Sequence, residues 1–204
     1  MKYEAELISL DSFCQALTGK ARPVILLEGS REVAAEHQAH LVRTGALLAE
    51  RLPQAVFRSG NAPGADTLFA EGVSQVDASR MQLVTPSAVH RKKNLRAEYE
   101  VVPLQTLSAV QEEALAEITY LATPENRSLI QKRNQHARLG AKAAYLLRDT
   151  LKVTGNADAG LAPADAALFY TKPDPMAGGT GHTLRVCMQR GVPYVLFPQW
   201  QHWN

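Results

Sequence analysis

The stretch AVFRSGNAPGADTLFAEGV at residues 55–73 decides how the rest of the chain is read. Residues 55–58 (AVFR) form a short, dense apolar run of the kind that reads as a strand buried on both faces. The eight residues Ser59-Gly60-Asn61-Ala62-Pro63-Gly64-Ala65-Asp66 follow, and TLFAEGV then opens a helical stretch. Gly60 and Gly64 permit a tight turn and close approach of the backbone to a ligand. Free N–H groups at the helix start would face an anion such as phosphate. No Lys-Ser/Thr pair follows the second glycine, so this is not a Walker A loop, and the spacing is not that of GxGxxG. The same residues also fit a plain strand-to-helix turn with Asp66 as N-cap.

Working outward, four more apolar runs have the same character: Val24–Glu28 (VILLE), Met81–Val84 (MQLV), Ala166–Tyr170 (AALFY) and Val192–Phe197 (VPYVLF). Between them lie stretches of helical period. Residues 32–52 place Ala34, His37, Leu41, Leu48 and Leu52 on one face. Residues 66–74 and 183–190 are shorter helix candidates, and 127–152 is the longest. Alternating strands and helices predict an α/β fold, a parallel sheet with helices on both faces. Residues 86–125 break the alternation, with a basic cluster HRKKNLR at 90–96 and a helix candidate near Leu104–Ala122. They read as an insertion at the sheet's edge, a lid or a dimerisation arm. The first 20 residues read as a strand and a short helix capped by Asp11.

With 204 residues, 46% of them hydrophobic and 21% charged, the chain can bury a full core and is not disordered. A net charge of +2 is too small to argue for nucleic acid from bulk charge. No apolar run approaches the roughly 18 residues of a membrane span. Acids in MKYEAELISL stand where a signal peptide needs an apolar stretch. Cys14 and Cys187 make neither a disulfide framework nor a zinc site. The expectation is a soluble, cytoplasmic protein with no metal, no cofactor and no membrane partner.

In a parallel sheet, ligands bind at the carboxyl ends of the strands, so chemistry is sought in the loops that follow them. Besides residues 59–66, these include Gly29-Ser30-Arg31, where Ser30 suits an N-cap and Arg31 could hold a phosphate or carboxylate. Gly178-Gly179-Thr180-Gly181-His182-Thr183 offers backbone and hydroxyl donors as a second anion cradle. Residues 126–148 carry Arg127, Lys132, Arg133, Arg138, Lys142 and Arg148 and no Asp or Glu. Such a helix can bind nucleic acid, but cations spread round a helix without interleaved aromatics more often form a solvated face. His182 beside glycines could donate a proton or simply pack. His37 reads as a core residue, and the two tryptophans of QWQHWN as packing.

These motifs resemble the SMF/DprA–LOG (SLOG) superfamily of Rossmann-like nucleotide-binding proteins, most closely its small YspA-like members. The resemblance rests on GSR, SGNAPGAD, Arg133-Asn134 and GGTGHT followed by RGVPYVLFP. It spans residues 23–85 and 127–198, which makes the chain a single domain over 1–204 with 86–125 outside the match. It implies a nucleotide or nucleotide-derived ligand and a homodimer. Ser59, Gly60, Asn61, Gly64 and Asp66 would line the pocket beside Gly29, Ser30 and Arg31. Gly178, Gly179, Thr180 and Thr183 would hold phosphate, and Arg133 and Asn134 would reach in from the long helix. One branch of the superfamily cleaves nucleoside monophosphates using the glutamate of GGxGTxxE. Laid on this chain, that glutamate is Arg185 and the threonine is His182. Arginine cannot act as a general base at neutral pH, which puts that hydrolase chemistry in doubt. Glu28, Glu71 and His182 remain as candidate catalytic groups. Three functions therefore stand open: a nucleotide-binding or sensor module, which the loops favour; an N-glycosidase; and a nucleic-acid accessory protein.

Overall fold

A computed structural model describes residues 6–90, 95–135, 137–171 and 174–203. Its strands are β1 (Val24–Gly29), β2 (Val56–Ser59), β3 (Met81–Thr85), β4 (Glu100–Pro103), β5 (Ala166–Tyr170) and β6 (Tyr194–Leu196). Its helices are α1 (Leu10–Ala16), α2 (Ala35–Arg51), α3 (Ala65–Asp77), α4 (Ala109–Ala122), α5 (Arg127–Gln131), α6 (Ala137–Thr154), α7 (Gly178–Arg190) and α8 (Phe197–Trp200). All strand pairs are parallel, in the order β4-β3-β2-β1-β5-β6. The expected α/β, Rossmann-like sheet is what forms. The chain moves outward from β1 to β4, then returns through α4, α5 and α6 to β5 on the other side of β1. The loops after β1 and β5 therefore diverge, and a crevice opens between them.

Strand alternation decides what each layer receives. Ile25 and Leu27 pack with Phe57, Leu41, Leu48, Phe69 and Trp200 in the α2–α3 layer. Leu26 packs with Val153, Phe169, Leu184 and Val186 in the α6–α7 layer. Glu28 lies two residues beyond Leu26 and so points into that second layer, a carboxyl group where periodicity calls for an apolar side chain.

Several local readings change. Residues 86–125 supply the edge strand β4, paired with β3, and helix α4, packed with α6 through Leu115, Ala116 and Leu147. The short, half-exposed EVVP of β4 has no strand signature of its own. The long basic helix is two helices, with residues 132–135 forming the turn between them. Helix α1 is capped by Ser9, whose hydroxyl accepts from the Ser12 N–H at 3.0 Å. Asp11 instead sits in the first turn and pairs with Arg51. The cluster at 90–96 falls largely on residues 91–94, outside the described residues, as does His136. Trp200 and Trp203 are buried; their indole N–H groups donate to Phe169 O (3.2 Å) and Ile8 O (2.7 Å), closing the chain end onto the body. Among the described residues, no helix is long and apolar enough to cross a membrane.

Helices α2 and α3 cross at Gly45 and Gly72, where a methyl group on Gly72 would overlap the Val42 carbonyl. Alanine is favoured over glycine in a helix interior by about 1 kcal/mol. Overpacking against rigid backbone reverses that sign at a cost of about 1–3 kcal/mol. Gly72→Ala is therefore expected to lower stability in urea unfolding; a stability gain would contradict this crossing.

Candidate functional site

A cavity of about 810 Å³ opens at the carboxyl ends of β1 and β5. Four parts of the chain supply most of its lining. The β1 end contributes Glu28, Gly29, Ser30 and Arg31, and the loop before α3 contributes Ala62 and Asp66. The start of α7 contributes Gly178, Gly179 and Thr180, with Arg185 one turn on. The fourth wall is α6, with Lys142, Tyr145, Leu146, Arg148, Asp149 and Lys152, and Leu129 of α5 beside it. The volume suits a nucleotide-sized molecule.

The cavity floor is a buried charge cluster. Lys152 is 1% exposed, and its Nζ lies 2.6 Å from Glu28 Oε2 and 2.8 Å from Asp149 Oδ1. Arg148 donates from Nη1 to Gly60 O at 2.5 Å, and its Nε lies 3.0 Å from Asp149 Oδ1 without donating a hydrogen bond to it. Gly60 leaves room for this contact, because a Cβ there would displace the Arg148 guanidinium. Beneath the cluster, Arg58 donates to Gln82 Oε1 at 2.6 Å and to Lys152 O at 2.8 Å.

Asp66 ties the two loops at the carboxyl ends of β1 and β2 together. Its Oδ1 accepts from Gly29 N–H at 3.3 Å, and its Oδ2 accepts from Gly60 and Ala62 N–H at 3.2 Å each. Ala65 N–H donates to Ser30 O at 3.0 Å. Gly64, at φ 86°, lies so close to Ser30 and Arg31 that any Cβ would meet their carbonyls. The SGNAPGAD loop thus spends its donors on its own carboxylate and packs against the GSR loop. The α7 start differs. Gly178, Gly179 and Thr180 occupy the first turn, where helix geometry leaves amides without intrahelical acceptors. Thr180 Oγ1 donates to Gly29 O at 3.0 Å, which holds this turn against the end of β1.

Of the sequence-predicted residues, the cavity therefore gathers Glu28, Gly29, Ser30, Arg31, Asp66, Gly178, Gly179 and Thr180. Gly60 and Gly64 shape its wall without lining it. Ser59 is buried at the end of β2, and Thr183 donates to Gly179 O at 3.2 Å inside α7. Asn61 and Glu71 line a separate crevice of about 250 Å³ with Asp66, Arg96 and Tyr99. Arg133 pairs with Glu112 (2.8 Å) and Glu113 (2.6 Å) of α4, and Asn134 is exposed beside it; neither lines the cavity. His182 is 1% exposed, bonded to Thr123 at 2.6 Å and Thr150 at 3.0 Å, and burial lowers its pKa. The six-cation reading of residues 126–148 missed that Arg148 is buried. It also passed over Asp149 and Lys152. Their signal lies in LLRDTLKV, residues 146–153, where charges interrupt an apolar helical run.

Electrostatics set the cluster's protonation. Burial is the largest influence on Glu28 and pushes its pKa up to about 8, against the pull of Lys152. Asp149 is equally buried, yet Arg148 and Lys152 hold it below its ordinary value. Burial works against the Lys152 ammonium, but Asp149 and Glu28 overcome it and raise its pKa. At neutral pH a protonated Glu28 leaves Arg148 and Lys152 balanced by Asp149 and Asp66. Among the described residues, no group of three or more His, Cys, Asp or Glu side chains is placed to hold a metal ion.

No family model matches the chain, and no curated protein matches it. A solved structure of DNA processing protein A from Helicobacter pylori, described for its single-stranded DNA binding mode, aligns at a TM-score of 0.44 with 14% identity. The alignment covers 89% of this chain and 67% of that one.

Glu28 carries its proton in the folded state up to about pH 8 and, unfolded, only to its ordinary 4.5. Between those values the folded state binds more protons, so the stability contributed by Glu28 is complete below pH 4.5 and lost as pH rises toward 8. Thermal unfolding from pH 5 to 8 is therefore expected to show the wild type losing stability relative to Glu28→Gln. A pH-independent difference would place the titration elsewhere.

Proposed function

We propose that this chain is a binding or sensor module for a nucleotide or nucleotide-derived ligand of the kind the SLOG resemblance implies, held in the cavity between β1 and β5. The carrying observation is that one crevice collects three complementary surfaces. The first turn of α7 supplies amides for a phosphate. Tyr145, Leu146 and Leu129 form an apolar wall for a base. Glu28, Arg148, Asp149 and Lys152 form a polar floor between them. Arg185 lines the same cavity at the position where GGxGTxxE carries its glutamate. A cation there favours holding an anion over attacking a glycosidic bond.

A second reading, an N-glycosidase, draws support from Glu28 alone, a proton-bearing carboxyl group in the cavity. Glu71 lines the other crevice and His182 is sealed behind Thr123 and Thr150, so neither supports it. The nucleic-acid reading loses two of its six cations, since Arg148 is buried and Arg133 is ion-paired.

A thermal-shift and calorimetric panel of mononucleotides, cyclic nucleotides and ADP-ribose species tests the proposal. A ligand at 100 times its Kd stabilises the fold by about 2.7 kcal/mol. Gly179→Val is expected to abolish that shift while the apo fold survives, because the added Cβ meets only the Asp149 carboxylate end, at 3.2 Å. No binding at millimolar ligand, or a shift that persists in Gly179→Val, would overturn it. Release of free base from a nucleoside monophosphate by the wild type but not by Glu28→Gln would favour the second reading.

A further inference from the structure

We infer that Glu28 contacts the bound ligand through its second carboxyl oxygen and reads a ribose hydroxyl, so that the cavity selects ribonucleotides over their deoxy analogues. The inference rests on the nucleotide reading of the cavity and adds what the floor recognises.

Glu28 is 4% exposed, lines the cavity, and uses one oxygen only: Oε2 takes the Lys152 ammonium at 2.6 Å. Its Oε1 is buried and has no hydrogen-bond partner among the described residues. Buried polar oxygens are almost always paired in folded proteins, so an unpaired one on a residue that lines the cavity marks a place for a ligand atom. The chemistry of that atom is constrained from three sides. A cation is already supplied by Lys152, which sits between Glu28 and Asp149. An anion would face the Asp149 carboxylate, with which both cations of the floor are already paired. An apolar atom would leave Oε1 unpaired. A hydroxyl satisfies the site in either protonation state, since it donates to a carboxylate oxygen and accepts from a protonated one.

The position of the phosphate site makes that hydroxyl a sugar hydroxyl. Thr180 in the first turn of α7 donates to Gly29 O at 3.0 Å, and Gly29 is the residue after Glu28. The turn offered to the phosphate and the carboxyl group offered to the hydroxyl are thus neighbours, as a 5′-phosphate and the ring hydroxyls are on one ribose. Tyr145 and Leu146 stand on the α6 wall, where the base would continue.

Calorimetry on the full chain decides it, with adenosine 5′-monophosphate, its 2′-deoxy and 3′-deoxy analogues, and ribose 5-phosphate as probes. A site built to bond a hydroxyl rejects the analogue lacking it, so at least one deoxy form is expected to bind at least about tenfold more weakly. In Glu28→Met, which removes both oxygens, the ribo and deoxy forms are expected to bind within about twofold of each other. Glu28→Gln keeps a hydrogen-bonding oxygen and amide and is expected to retain the preference. Equal wild-type affinity for all three mononucleotides overturns the Glu28 assignment and leaves the nucleotide cavity standing, as does discrimination that survives in Glu28→Met. Absence of binding by every probe overturns the cavity reading and this assignment with it. Should Glu28→Met fail to fold, Glu28→Ala, which also removes both oxygens, carries the same expectation and the same contrary result.

Discussion

A lysine ammonium held out of water between two carboxyl groups is the constraint from which the rest of the site follows. Lys152 is fully enclosed by the sheet end, and it stays charged chiefly because of the Asp149 carboxylate beside it, with Glu28 accepting a second hydrogen bond. Satisfying it fixes the rotation of α6 over the sheet. That rotation brings Arg148 onto Gly60, where a side chain would displace the guanidinium. The loop after β2 closes round Asp66, and its two glycines stand behind the cavity wall without lining it. Replacing such a buried cluster with apolar side chains is often neutral or stabilising, so stability alone is a poor reason to keep it. Its position on the cavity floor is what brings it into the proposed site.

The strand runs, the parallel α/β class and the place of the loops were legible because they depend on periodicity and punctuation; strand order was not read from the sequence. The dense runs VILLE, AVFR, MQLV and AALFY match β1, β2, β3 and β5 to within one residue at each end. The glycine-bearing loops lie at strand ends, where a parallel sheet exposes them. Edge strand β4 was not legible. EVVP is short and half-exposed, so neither a dense apolar run nor a clean alternation marks it. The break between α5 and α6 was likewise hidden, because no proline or glycine punctuates residues 132–135.

The site was legible by half. Loop residues were found because glycines and hydroxyls advertise backbone chemistry. The α6 wall was passed over because Arg148 was counted with surface cations, and only tertiary packing separates a buried arginine from a solvated one. Arg133 shows the reverse case: the family resemblance marked it together with Asn134, yet Glu112 and Glu113 on α4 hold it outside the cavity. Glu28 was legible as a strand-end carboxyl group, but its unpaired oxygen was not, since an orphan is defined by what surrounds it.

The cavity wall carries both charge signs: Arg31, Lys142, Arg148, Lys152 and Arg185 against Glu28, Glu32, Asp66, Glu125, Asp149 and Asp174. With Glu28 protonated the two sets are equal in number, so any hold on an anion has to come from local donors rather than from net charge. The most direct measurement is a crystal structure with adenosine 5′-monophosphate bound. The account requires the phosphate against residues 178–180 and the ribose beside Glu28. A nucleotide seated in the crevice of Glu71 and Tyr99, or none at saturating concentration, would contradict it.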